Sequence, residues 1–309
     1  MIDYENIVNW AIPNKNYNMR DIDRLPKNFL QIKIHENSPS IINCEFLPNG
    51  KVEERQYSIF TQIKDVCEKY EIPDLTFVYC THDRPSFDGP FFTHARIRNS
   101  RTNTILAPCF TFDTYPEGPT SKMVKYTETY NKILSNNINW SDKTNSCVFV
   151  GHIGENNNRL DNTTIEFNDV KLELINQQAS SEKFINREDL TKYKYLLHLN
   201  GNNGAYASRL KYLVGTGGLV VYNSNSGPDN NFWEEWWMND DMFKNRKHYI
   251  HCNNKYEVID AINHFNTNQS DGMEIAENGM KFFIEHLNYN NVLKFWSQLL
   301  TEYSKRLNF

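Results

Sequence analysis

Apolar residues along the chain fall into short continuous runs divided by polar stretches that carry proline and glycine. Strand-sized runs alternate with segments of three-to-four spacing, the mark of an α/β protein. FLQIKI (29–34) and INCEFLPNGKVEE (42–54), with its central Pro-Asn-Gly, predict a hairpin. Residues 59, 60, 63, 66 and 67 are apolar and predict a helix over Tyr57–Tyr70, stopped by Pro73. LTFVYC (75–80) reads as a buried strand running into the polar THDRPSFDGP, and TILAPCFTF as a short strand before DTYPEGPT. A helix is expected over 121–136. CVFVG (147–151) opens a second α/β segment, followed by a helix over 170–178 and a strand over Tyr193–Leu199. Next come a helix over Ala205–Val214, closed by Gly215, Gly217 and Gly218, and a strand from Leu219. KHYIHC (247–252) is a further short strand, and Lys255–Phe309 reads as two or three helices.

A length of 309 residues suits two domains rather than one core. The pattern predicts an N-terminal α/β domain over 1–145 and a C-terminal one over 146–309 with a helical tail. A net charge of -5 without a long basic tract disfavours nucleic acid as a partner. Apolar runs are too short to span a membrane. The N-terminus, MIDYENIVNWAIPNKN, lacks the apolar centre of a signal peptide. That predicts a cytoplasmic protein, or one whose leader has been removed. Six scattered cysteines without a CxxC pair read as buried, reduced thiols.

LHLNGNNGAYASRLKYLVGTGGLVVY (197–222) carries the strongest chemical signal. It lacks both the GxGxxG dinucleotide fingerprint and the Walker pattern, which disfavours a nicotinamide-dependent oxidoreductase. A glycine turn at Gly201, the amides near Ala207 and Ser208, and the guanidinium of Arg209 could together hold a phosphate. The same residues also suit a plain strand-to-helix turn with an arginine reaching the surface. Asp83 stands just beyond the strand LTFVYC, where ligands collect in open α/β sheets and a carboxylate can take a proton; it also suits an ordinary loop cap. His248 and His251 would lie on opposite faces of a strand, so no metal site is expected. Phe232, Trp233, Trp236 and Trp237 could stack on a sugar or pack in a core.

Against these alternatives, the chain resembles glycosyltransferase family 90, which includes fungal capsule-associated xylosyltransferases and animal protein O-glucosyltransferases. The resemblance rests on LNG (199–201), AYASRLKYL (205–213), GGLVVY (217–222), EEWW (234–237), HYI (248–250) and EIAENGMKFFIEHL (274–287). It extends thinly into the first half, where Asp83-Arg84-Pro85 stands in place of the family's Asp-aromatic-Pro and ILAPCFTFDTYPEG resembles its acceptor loop. Arg84 departs from the aromatic. FVGHIGENNNR (149–159) stretches the family's Gly-Ser-Arg, making Arg159 a loose equivalent.

The resemblance implies a GT-B-like α/β fold: two Rossmann-like domains facing across a cleft, with C-terminal helices. It implies an inverting transfer of glucose or xylose from a UDP-sugar to a hydroxyl of a glycan or protein, with no metal or other cofactor. Asp83 would be the base. Arg209, Ser208, Ala207, Gly201 and Arg159 would hold the diphosphate, with Glu235, His248 and Tyr249 around the nucleotide. A catalytically silent carbohydrate- or nucleotide-binding module of the same fold is the alternative. The chain ends KRLNF rather than in a KDEL-like signal, which favours a cytoplasmic enzyme of microbial or viral origin.

Overall fold

A computed structural model describes residues 4–13, 15–18, 25–26, 29–48, 50, 52–83, 89–98, 100, 102–115, 124–152, 165–176, 185–201, 204–225 and 232–308. The protein is mixed α/β. Its α-helices among these residues are α1 (Tyr4–Ala11), α2 (Glu54–Lys69), α3 (Tyr126–Ser135), α4 (Leu210–Gly215), α5 (Lys255–Thr267), α6 (Gln269–His286) and α7 (Tyr289–Arg306). Two compact units are interleaved along the chain. The first comprises Met1–Pro116, Glu234–Met242 and Tyr289–Phe309, the second Glu117–Trp233 and Phe243–Asn288.

The first unit is built on a five-stranded mixed sheet of β1 (Leu30–His35), β2 (Ser38–Asn43), β3 (Leu75–Cys80), β4 (Phe92–Thr93) and β5 (Ile105–Leu106), in the order β2-β1-β3-β4-β5. β1 is antiparallel to both β2 and β3, while β3, β4 and β5 are parallel. The hairpin turns at Glu36 and Asn37, both at positive φ (48° and 58°), not at the Pro-Asn-Gly segment. Two left-handed residues match the twist of the paired strands, a geometry that Asn favours over Pro. Asn37 then ties the turn down, donating to Cys67 O and accepting from Ile72 N. Near the Pro-Asn-Gly segment, Phe46 and Val52 form an isolated antiparallel bridge and Gly50 N donates to Leu47 O.

Helix α2 begins three residues before the expected Tyr57, capped by the Glu53 carboxylate on Gln56 N. Its buried stripe, Ile59, Gln62, Ile63 and Val66, meets α7, where Trp296 Nε1 donates to Gln62 Oε1 at 3.0 Å. TILAPCFTF is not one strand: after β5 it turns into a 3₁₀ helix over Phe110–Phe112.

The second unit holds an all-parallel sheet of β6 (Thr144–Gly151), β7 (Lys171–Asn176), β8 (Tyr193–Leu199), β9 (Leu219–Asn223) and β10 (Ile250–Cys252), in the order β7-β6-β8-β9-β10. The helix expected over 170–178 is instead strand β7. Lys-Leu-Glu-Leu suits a helix by propensity, but the open edge of β6 pairs with it from Ser146↔Lys171 to Gly151↔Asn176. Six residues of ladder outweigh a preference of a few tenths of a kcal/mol per residue, roughly. Cys147, Phe149, Tyr195, Leu197, Val221, Ile262 and Ile275 fill the core between this sheet and α5 and α6. The glycine-spaced helix is also shorter than expected, starting at Leu210. Ala205 O accepts from Gly201 N and Gly204 O from Trp233 Nε1, which holds the preceding residues in a turn. All six cysteines are reduced and buried. No helix among the described residues is long and apolar enough to cross a membrane.

Candidate active site

In the second unit the chain leaves β6 for β7 on one side and returns to β8 on the other, so strand order reverses between β6 and β8. The crevice beyond the carboxyl ends of two such strands is where open parallel sheets bind ligands. Arg209 occupies it. Its Nη1 donates to Val150 O at 2.6 Å and its Nη2 to Leu199 O at 3.3 Å, the carbonyls closing β6 and β8. The guanidinium carbon lies 5.2 Å from the Phe149 ring centroid. Two carbonyls and an aromatic face fix a charge that is permanent at any physiological pH. Gly151 makes room for it: a Cβ there would stand 2.6 Å from Nη1.

Gly201, Ala207 and Ser208 line the chain between β8 and α4. Gly201 is required by close approach, since a Cβ would meet Tyr206 O at 2.5 Å. Ala207 and Ser208 precede the six-residue α4, Ser208 in a turn and Ala207 in irregular chain, so the amides expected at these positions are not helix-start amides. Further polar residues lie at this end of the sheet, Asn200, Tyr222 and Ser224 not singled out from the sequence and His251 weighed there only as a metal ligand. Asn200 donates to Ser224 O (2.7 Å) and accepts from Tyr222 Oη (2.9 Å), and Ser224 Oγ pairs with His251 Nε2 (2.8 Å). Asn200 and Ser224 lie one residue past the ends of β8 and β9, a position the sequence does reveal. Arg159 lies outside the described residues.

In the first unit Asp83 stands three residues past β3. Arg55 of α2 holds it, Nη1 to Oδ1 at 3.0 Å, and the same nitrogen donates to Thr81 O at 3.2 Å. His94 Nε2 is 3.9 Å from Oδ1. The Asp83 side chain is 40% exposed, yet enough protein surrounds the carboxyl that burial pushes its pKa up. The charges of Arg55 and His82 pull the other way without cancelling that rise. A carboxylate with a raised pKa is a stronger proton acceptor than an ordinary aspartate. Arg84 and Pro85 lie outside the described residues.

The remaining candidates are packed inside. Glu235 is buried in the first unit at 1% exposure, next to Trp236, whose ring stacks on Phe295 with centroids 4.1 Å apart. Trp236 and Trp237 are fully buried, so these two rings are core rather than a sugar platform. His248 and Tyr249 both stack on Phe243, and His248 Nδ1 accepts from Lys244 N. Among the described residues no three His, Cys, Asp or Glu side chains are grouped to hold a metal ion.

Burial lowers the His248 pKa to about 4, helped by the charges of Lys247, His286 and Lys244. The unfolded chain therefore binds a proton that the folded one refuses between about pH 6.5 and 4. Stability contributed by this residue is complete above pH 6.5 and is lost as pH falls through that window, by about 3 kcal/mol. Urea midpoints measured from pH 7 to 4 should fall more steeply in wild type than in His248→Gln. Parallel curves would remove His248 as the cause.

A family model described as Glycosyl transferase family 90 matches residues 49–309. Protein O-glucosyltransferase 1 of Bos taurus is 30% identical over 128 residues, 41% of this chain and 30% of that protein. O-glucosyltransferase rumi of Drosophila melanogaster is 25% identical over 272 residues, 77% of this chain and 62% of that protein. The chain thus matches less than two thirds of the length of either relative.

Proposed function

The chain belongs to glycosyltransferase family 90, and from that premise we propose that it moves a sugar from a UDP-sugar to a hydroxyl of a protein or glycan, with inversion. The observation carrying this proposal is Arg209, anchored across the ends of β6 and β8 where strand order reverses. A nucleoside diphosphate leaves with added negative charge, and a fixed guanidinium lowers the cost of that charge. The acceptor oxygen bonds to the anomeric carbon as the bond to the diphosphate oxygen breaks; the electron pair departs with UDP. Asp83 takes the acceptor's proton. In this scheme Arg209 supplies the positive charge and no metal is needed. The two units then serve as the acceptor-side and donor-side domains of a GT-B enzyme, and the names of the relatives favour glucose over xylose and a protein hydroxyl over a glycan.

The test is release of free nucleotide from UDP-glucose, UDP-xylose, UDP-N-acetylglucosamine and GDP-glucose, with and without EDTA, water standing in for the acceptor. Uridine-selective release that ignores EDTA is expected. Binding of uridine nucleotides without release from any donor would instead favour a silent binding module.

A further inference from the structure

We propose that Arg55 is the positioning residue of Asp83: it holds carboxylate Oδ1 in place and leaves Oδ2 to receive the acceptor's proton. This rests on Asp83 acting as the base. The geometry is specific. Arg55 Nη1 bridges Asp83 Oδ1 (3.0 Å) and Thr81 O (3.2 Å), so one nitrogen ties the carboxylate to the main chain two residues before it. The guanidinium lies over the Phe110 ring, 4.8 Å from its centroid, which fixes the plane of the fork. Phe110 in turn meets His94 edge-on, with centroids 5.4 Å apart. Asp83 Oδ2 takes no hydrogen bond from the described residues, and the side chain keeps access to solvent.

The groups facing Asp83 come from several elements: Arg55 on α2, Cys80 on β3, His82 beside it and His94 just after β4. Arg55 makes the closest charged contact, at hydrogen-bond distance, whereas His94 stands 3.9 Å away. A clamp on one oxygen of a carboxylate does two things. It removes the rotation that would otherwise average Oδ1 and Oδ2 over the acceptor, and it favours the ionised form that a base needs. No sequence pattern joins the two residues, which are 28 positions apart.

The experiment titrates aspartate carboxyls by ¹³C NMR in wild type, Arg55→Gln and Arg55→Lys, with the Asp83 signal assigned by its absence in Asp83→Asn. The same proteins are assayed for nucleotide release from UDP-glucose and for UDP binding. In Arg55→Gln the Asp83 titration should move up by about one unit or more, and nucleotide release should fall about tenfold or more. UDP affinity should stay unchanged. Arg55→Lys, which keeps the charge, should recover most of the titration shift. An Asp83 titration unmoved in Arg55→Gln overturns the proposal, as does a loss of UDP affinity equal to the loss of rate. Undiminished release in Asp83→Asn overturns the base assignment itself, and the two failures are told apart because the titration is read independently of activity.

Discussion

Asp83→Asn lowers kcat for nucleotide release by about 10²–10⁴-fold, the usual contribution of a general base. The substitution keeps the size of the side chain and removes its charge and its ability to accept a proton. UDP affinity holds, because the residues proposed to bind the donor belong to the other unit. Stability changes by no more than about 1 kcal/mol, since the ion pair with Arg55 is partly exposed and water screens it. Initial rates at saturating UDP-glucose, with a melting curve on the same preparation, check both halves. A large fall in melting temperature with the rate per folded molecule unchanged would mean that Asp83 is structural.

Gly151→Ala disables the donor side without touching a charged group. The added methyl would lie 2.6 Å from Arg209 Nη1, the end of a flexible side chain, and 2.9 Å from Phe149 Cζ, on a ring packed in the core. Arg209 is the neighbour that can give, so the guanidinium leaves Val150 O, and a displaced charge costs about 10²-fold in rate. Arg209→Ala costs about 10²–10³-fold, as expected for loss of a fixed donor to a leaving oxygen. Because one change acts through the other's side chain, the double variant is no worse than Arg209→Ala alone. A double-mutant cycle on kcat/KM for UDP-glucose measures this. Additive losses would show that Gly151 matters for some other reason.

Buried strands were the most legible feature of the sequence. LTFVYC and Tyr193–Leu199 form β3 and β8 with the expected limits, since their side chains are buried along nearly the whole run. The segment Lys171–Asn176 was not legible: its helical composition is overruled by pairing with β6, a contact with no local sign. The return of Glu234–Met242 and Tyr289–Phe309 to the first unit is similarly silent, as an amphipathic helix does not say which sheet it covers. Among the candidate residues, Asp83 in the first unit and Arg209 in the second each stand near the ends of buried strands that the sequence does reveal. Arg55 was hidden because α2 presents it to Asp83 only in three dimensions. His248 and Tyr249, chosen from a motif, are packed on Phe243.

The most direct test of the account is a calorimetric titration of UDP, with GDP and ADP as controls, into wild type and Arg209→Ala in the presence of EDTA. One-site binding selective for UDP, unaffected by EDTA and weakened about a hundredfold or more in Arg209→Ala, is the predicted result. UDP affinity equal in the two proteins, or no preference for uridine, would contradict a diphosphate site at the ends of β6 and β8.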